Sequence, residues 1–80
     1  MSDYLPIDCG LHSQYELLAM HQQKVILYYF DEQGVSRQLK GRVKDVLTRD
    51  EAEYLSLRLH GGGDRLIRLD RIQRFAKELG

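Results

Sequence analysis

The stretch KVILYYF, residues 24–30, constrains the fold of this chain more than any other segment. It is dense in β-branched and aromatic residues and is too short for an independent helix, so it predicts a β-strand. Apolar side chains fall on both of its faces, which places the strand inside a sheet or beneath a helix. The uninterrupted apolar run within it is far shorter than the roughly 20 residues that a membrane-spanning helix needs.

Length and composition indicate one folded domain that occupies residues 1–80. A chain of 80 residues has room for one modest core. Apolar residues make up 42% and charged residues 30%, which is typical of a soluble globular protein. The N-terminus MSDYLPID lacks the features of a secretion signal, and the single cysteine, Cys9, forms no internal disulfide. We therefore expect a cytoplasmic protein.

Turn signals and hydrophobic periodicity predict one helix followed by five strands in hairpin order. Ser13 and Glu16 fit a capping box, so the helix is expected to begin at Ser13 and to end near residue 22. Tyr15, Leu17 and Leu18 are expected to face the core. The strands are predicted at about residues 24–30, 36–47, 54–59, 65–69 and 73–77, with a polar loop at residues 48–52.

The predicted fold class is mainly β: a small five-stranded barrel or bent antiparallel sheet preceded by one N-terminal helix. Gly41, in the middle of the second strand, predicts a bend or bulge there, as a small barrel requires in order to close.

Charge is distributed unevenly along a chain whose net charge is zero. Residues 1–23 hold three acidic residues and no lysine or arginine, whereas residues 37–44 hold four basic residues and no acidic one. Alternation places Lys40, Arg42 and Lys44 on one face of the second strand. With Tyr28 or Tyr54 nearby, this basic row could bind single-stranded RNA by charge and stacking. An RNA-binding module is therefore the alternative hypothesis.

Neither catalysis nor a bound metal is expected from the sequence. Cys9 and His12 have the spacing C-x-x-H, but a closed zinc site needs four ligands and the chain has no second cysteine. The triplet at residues 61–63, GGG, lacks the Lys-Ser/Thr and the helix that follow a phosphate loop. We expect a protein that is not an enzyme and that uses no cofactor.

Four short motifs occur in order between residues 4 and 75: Tyr4-x-Pro6-Ile7-x-Cys9, Tyr15-Glu16-Leu17, Glu53-Tyr54-Leu55 and Arg68-Leu69-Asp70-Arg71-Ile72. In this order and at nearly this spacing they resemble the Rof (YaeO) family of Rho-specific transcription antiterminators. The resemblance implies an Sm-like barrel behind an N-terminal helix. It also implies binding to the N-terminal RNA-binding domain of the termination factor Rho, which blocks RNA from the primary site and so inhibits Rho-dependent termination.

The resemblance further implies where Rho would be bound. In family members the segment after the cysteine is commonly rich in aspartate around the helix start, and here only Glu16 keeps an acid in that segment. The expected contact residues lie at the helix start and in the loop after the second strand: Gly10, His12, Ser13, Gln14, Glu16, Thr48, Arg49 and Asp50. Complementary charge would orient such a complex. Under this hypothesis the protein is a monomer that binds neither a membrane nor a nucleic acid directly.

Overall fold

One helix and five strands make up residues 7–78, which are the residues that this computed structural model describes. In chain order they are α1 (Cys9–Met20), β1 (Lys24–Phe30), β2 (Ser36–Arg49), β3 (Ala52–Leu59), β4 (Asp64–Arg68), the 3-10 turn η1 (Leu69–Arg71) and β5 (Ile72–Lys77). All neighbouring strands pair antiparallel, in the order β4-β3-β2-β1-β5. The predicted fold class, a helix before a bent five-stranded antiparallel sheet, is confirmed. The predicted hairpin order is wrong for β5, which pairs with β1 and not with β4. Tyr4 and Pro6 of the first motif lie outside the described residues.

The start of α1 differs from the prediction. The helix begins at Cys9, and the carboxylate of Asp8 accepts hydrogen bonds from the backbone N–H groups of Gly10 (3.0 Å) and Leu11 (3.3 Å). Asp8 is therefore the N-cap, and the capping box predicted at Ser13 is wrong. Ser13 lies exposed inside the helix. The helix ends at Met20, earlier than predicted.

The core lies between α1 and one face of the sheet. Tyr15 and Leu18 of the helix are buried against side chains from four strands and η1, namely Val25, Leu27, Tyr29, Val43, Leu55, Leu57, Ile67 and Leu69. Each fully buried aliphatic side chain contributes about 1.5–3 kcal/mol. The Tyr15 ring lies 5.7 Å from the Phe75 ring, and burial raises the pKa of Tyr15 to about 12.

Leu17 does not join this core, contrary to the prediction. Its side chain is 52% exposed, and that of Met20 is 74% exposed. Tyr15 and Leu18 are three residues apart and share one face of the helix, whereas Leu17 is two residues from Tyr15 and points away from it. The outer side of α1 therefore presents two large apolar side chains to solvent.

The connection between β2 and β3 is shorter than the predicted loop of residues 48–52. Strand β2 continues to Arg49, and β3 begins at Ala52. Only Asp50 and Glu51 lie between them, with φ values of 51° and 66°. Positive φ at both central residues is the conformation of a two-residue type I′ hairpin. Thr48 and Arg49 are thus strand residues, and of the three predicted loop contacts only Asp50 lies in the turn.

Strand β2 has a bulge at Lys44 and passes close to β3 at Gly41. Its register with β3 shifts between Val43 and Asp45, which makes Lys44 the bulged residue. At Gly41 an added Cβ would lie 2.4 Å from the carbonyl oxygen of Arg58. Gly41 therefore permits a close approach of two strands, while the bulge predicted at Gly41 lies at Lys44 instead.

No helix among residues 7–78 is long and apolar enough to span a membrane.

Candidate functional site

His12 joins the first half of α1 to the β2–β3 hairpin. Its Nδ1 atom lies 2.8 Å from Oε1 of Glu16, one turn along the helix, and its Nε2 atom lies 2.5 Å from Oε2 of Glu53. Glu53 is the second residue of β3 and is paired with Thr48 on β2. Two segments that are 41 residues apart in sequence therefore meet at one imidazole ring.

The two carboxylates set the charge of this ring. Partial burial of the imidazole lowers its pKa, but the hydrogen bonds to Glu53 and Glu16, with the charges of both groups, outweigh that effect. The pKa of His12 is consequently raised above its ordinary value of 6.5. An imidazolium between two carboxylates leaves the cluster with a net negative charge.

Further carboxylates surround this cluster. Asp8 caps the helix one turn before His12 and is exposed. Asp45 lines a shallow depression of about 350 Å³ together with Glu16, Met20 and Lys44. The exposed turn of the hairpin adds two more acids. We call this set the acidic surface: Asp8, Glu16, Asp45, Asp50, Glu51 and Glu53.

The predicted contact residues of the helix lie along its exposed side. Gly10, Ser13, Gln14 and Glu16 are all exposed, and His12 is half-buried beneath its two carboxylate partners. Residues three or four apart are neighbours on a helix, so Gly10, Ser13 and Gln14 form one row and His12 and Glu16 the adjacent one. The structure therefore brings the five helix residues together.

The predicted contact residues of the hairpin divide between two sides. Thr48 lies opposite Glu53, so both point to the face of the sheet that bears the helix. Arg49 lies opposite Ala52, and successive strand residues point to opposite faces, so Arg49 is directed away from Glu53. Asp50 occupies the turn. Thr48 and Asp50 therefore remain candidates beside the helix, whereas Arg49 is not brought to it.

Sequence reasoning missed four acidic members of this site, Asp8, Asp45, Glu51 and Glu53. A signal existed for Glu53, because it alternates with Leu55 and Leu57 and so points to the same face as they do. A signal existed for Asp8 as well, since aspartate directly before a helix is a preferred N-cap. No local pattern indicated Asp45, whose place beside Glu16 depends on the packing of α1 against β2.

The predicted basic row, Lys40, Arg42 and Lys44, lies exposed on the opposite face of the sheet. The guanidinium of Arg42 donates to the carbonyl of Gln22 at 3.0 Å, and Nζ of Lys44 lies 3.5 Å from Oδ2 of Asp64. The bulge at Lys44 does not remove it from the row, because Asp64 faces the same side as Arg42. Lys40 and Arg42 therefore belong to the outer face of the sheet, whereas Lys44 borders both sides, because it also lines the depression beside Glu16.

Metal-binding chemistry has no support in the geometry. Between residues 7 and 78 no group of three or more histidine, cysteine, aspartate or glutamate side chains could hold a metal ion. Cys9 is exposed at the first position of the helix. Arg68 forms a two-pronged ion pair with Asp70, at 3.1 and 2.8 Å.

Comparison with known proteins identifies no family to which this chain belongs. No family model matches the sequence, and no curated protein matches it.

Proposed function

We propose that this chain is a Rof-type antiterminator that binds the N-terminal RNA-binding domain of Rho. By occupying that domain it keeps RNA from the primary site and so inhibits Rho-dependent termination. Two observations support the proposal: the ordered motifs that resemble the Rof family, and a helix before a five-stranded antiparallel sheet, which is the architecture that the resemblance implies. We propose that it acts in the cytoplasm, where transcription takes place, and that it catalyses no reaction.

The observation that carries the proposal is the contact between His12 and Glu53. It joins the two segments in which the resemblance implies Rho contacts, the helix start and the β2–β3 hairpin. A domain that binds RNA must offer cations to phosphate groups. Carboxylates gathered from both segments provide the complementary charge, which steers encounter and fixes orientation.

The exposed apolar side chains of α1 suggest the centre of such an interface. Leu17 and Met20 are neighbours three residues apart on the exposed side of the helix, where Met20 also lies one turn after Glu16. They are 52% and 74% exposed. Protein interfaces combine an apolar centre, in which methionine is enriched, with a polar rim. We therefore assign Leu17 and Met20 to the centre of the Rho contact and the acidic surface to its rim.

A displacement assay tests this function. Fluorescent oligo(dC) is bound to Rho and the chain is titrated in; the proposal predicts release of the oligonucleotide. Glu16→Lys should weaken the effect by more than about 1 kcal/mol, because it reverses a charge that faces a basic partner. Glu32→Lys is the matched control, since Glu32 is exposed in the β1–β2 turn, away from the helix.

The assay also separates binding from folding. A thermal midpoint of Glu16→Lys within a few degrees of wild type, with weakened displacement, supports a direct contact. Equal weakening by Glu16→Lys and Glu32→Lys would mean that only the net charge of the protein affects displacement, which would contradict the proposed site. Failure of the wild-type chain to release any oligonucleotide would contradict the function itself.

A further inference from the structure

Three cations lie directly opposite one another across three neighbouring strands. Lys24 on β1 is paired with Arg42 on β2, and Arg42 is paired with Arg58 on β3. Paired residues of antiparallel strands point to the same face, with Cα atoms about 4.5–5.5 Å apart. The row ends on β4 with Asp64, which is paired with Arg58.

Little within residues 7–78 neutralises this row. Asp64 is shared between Arg58, at 3.3 Å, and Lys44, at 3.5 Å. Arg42 donates only to the carbonyl of Gln22, and Lys24 forms no ion pair within the described part of the chain. Like charges placed directly opposite each other destabilise a sheet. The row is thus unfavourable for the isolated protein and favourable for binding an anion.

The row borders an open groove of about 600 Å³. Its charged or titratable lining residues are Lys24, Lys40, Arg42, Arg58, His60 and Glu78. The five basic side chains among them are all exposed. Sites for small ligands enclose 70–90% of the ligand surface, which a groove with exposed walls does not do. An extended polyanion that lies along the surface fits it better.

An aromatic platform lies on the same face of the sheet. Tyr28 is four residues after Lys24 on β1, and Arg74 on β5 is its cross-strand partner. The Cζ atom of Arg74 lies 3.9 Å from the centroid of the Tyr28 ring. A guanidinium stacked on a tyrosine ring gives a flat, cationic surface on which a nucleobase can stack. Lys40, opposite Ile26, lies between this platform and the cationic row.

We propose that this outer face binds single-stranded RNA. The phosphates follow the basic groove formed by Lys24, Lys40, Arg42 and Arg58, and a base stacks on the platform of Arg74 and Tyr28. Cations combined with a stacking surface are the means by which proteins bind single strands without reading sequence. The helix covers the other face of the sheet, so this site does not depend on the proposed contact with Rho.

An anionic membrane fits the same groove less well. Binding at a lipid interface requires an apolar face that enters the acyl region beside the cations. Here the only large apolar residue that lines the groove among residues 7–78 is Leu59, which is half-buried. The carboxylate of Glu78 lies in the same groove and opposes the binding of any anion. Its Oε1 atom is buried and has no hydrogen-bond partner within residues 7–78.

Fluorescence anisotropy with labelled oligouridylate of about 12 nucleotides tests the proposal. The wild-type chain should bind at low salt, and the slope of log K against log salt should be about −2.8 if four phosphates are neutralised. Lys24→Gln combined with Arg42→Gln should weaken binding about tenfold or more and make the slope shallower by about 1.4. Glu78→Gln should strengthen binding, since it removes the acid from the groove.

A matched control removes the same two charges from the other face. Arg65 lies opposite the buried Leu57, and Lys77 lies opposite the buried Val25, so both point away from the groove. Arg65→Gln combined with Lys77→Gln should leave the affinity within about twofold. Lys40→Gln provides a second test, because the exposed side chain of Lys40 forms no ion pair in the described residues. It should weaken binding and make the salt slope shallower by about 0.7, with a thermal midpoint close to that of wild type.

Three results would overturn the proposal. The first is the absence of binding by the wild-type chain at low salt. The second is an equal loss of affinity in the groove variant, Lys24→Gln with Arg42→Gln, and in the control variant, Arg65→Gln with Lys77→Gln. That result would mean that only the net charge of the protein affects binding. The third is binding to phosphatidylserine vesicles, lost in the groove variant, without any binding to the oligonucleotide.

Discussion

The Nε2 atom of His12 lies 2.5 Å from Oε2 of Glu53 and ties the first half of the helix to the start of β3. Through this contact the helix start and the hairpin form one surface. The same ring contacts Glu16 at 2.8 Å, so a single imidazole organises two of the carboxylates that we assign to the Rho contact. The protonation of His12 therefore affects both stability and the proposed site.

We expect the stability contributed by His12 to decrease at alkaline pH. The pKa of His12 is raised in the folded state, so the protonated ring is favoured by folding. Its contribution is complete below the ordinary pKa of 6.5 and is lost as the pH rises through the higher folded value. The difference in unfolding free energy between wild type and His12→Gln should be largest near pH 5.5 and should fall, by up to about 1 kcal/mol, as the pH rises towards about 9. Thermal unfolding of both proteins across that range measures it.

A pH-independent difference between the two proteins would contradict this account. It would mean that His12 contributes through packing alone and that its hydrogen bonds to Glu16 and Glu53 do not favour the charged ring. Glu53→Gln is a second check, because it keeps the shape of the side chain and removes the charge. It should diminish the pH dependence without abolishing the fold.

Asp8, and not Ser13, should stabilise the start of the helix. The Asp8 carboxylate accepts two backbone hydrogen bonds, and loss of an N-cap side chain costs about 1 kcal/mol. Ser13→Ala should change stability by less than about 0.5 kcal/mol or raise it slightly, because alanine has the higher helix propensity. Chemical denaturation of Asp8→Ala and Ser13→Ala compares them. A larger loss of unfolding free energy in Ser13→Ala than in Asp8→Ala would contradict the observed cap and support the capping box predicted from the sequence.

Gly41 should tolerate no side chain. A Cβ at this position would meet the carbonyl oxygen of Arg58 at 2.4 Å and Cγ of Leu57 at 2.9 Å, so backbone must move. Gly41→Ala is expected to cost about 1–3 kcal/mol. Gly61→Ala is the matched control, because nothing lies within 4 Å of its added Cβ, and it should stay within about 0.5 kcal/mol of wild type. Equal midpoints in urea for both variants would contradict the close approach of β2 and β3.

Much of the fold follows from local sequence patterns. The bounds predicted for β1 are those observed, because its apolar residues end at a helix terminus on one side and at a polar turn on the other. The alternation of leucines in β3 gave the correct buried face. Consecutive strands joined by short turns pair antiparallel, which accounts for the order from β1 to β4.

The errors arise where two local patterns compete or where the backbone adopts a rare conformation. Asp8 and Ser13 both satisfy capping rules, but the helix begins directly after Asp8, whose carboxylate accepts two backbone hydrogen bonds, so Ser13 lies inside it. Asp50 and Glu51 form a turn that usually favours asparagine and glycine, so the hairpin resembled a loop in the sequence.

The candidate sites are the least predictable part because they depend on register. Glu53 reaches His12 only through the packing of the helix on the sheet. The alignment of Lys24, Arg42 and Arg58 requires knowledge of which residues face each other across three strands. Sequence alternation identifies the face on which a residue lies but not its partner on the next strand.

The central claim is that this chain binds the RNA-binding domain of Rho through the acidic surface and α1. Calorimetric titration of the chain into the isolated N-terminal domain of Rho tests it most directly. We predict saturable binding that weakens with salt, is prevented when the domain already carries oligo(dC), and is reduced by Glu16→Lys but not by Glu32→Lys. No heat of binding at low salt, with both proteins shown to be folded, would contradict the claim.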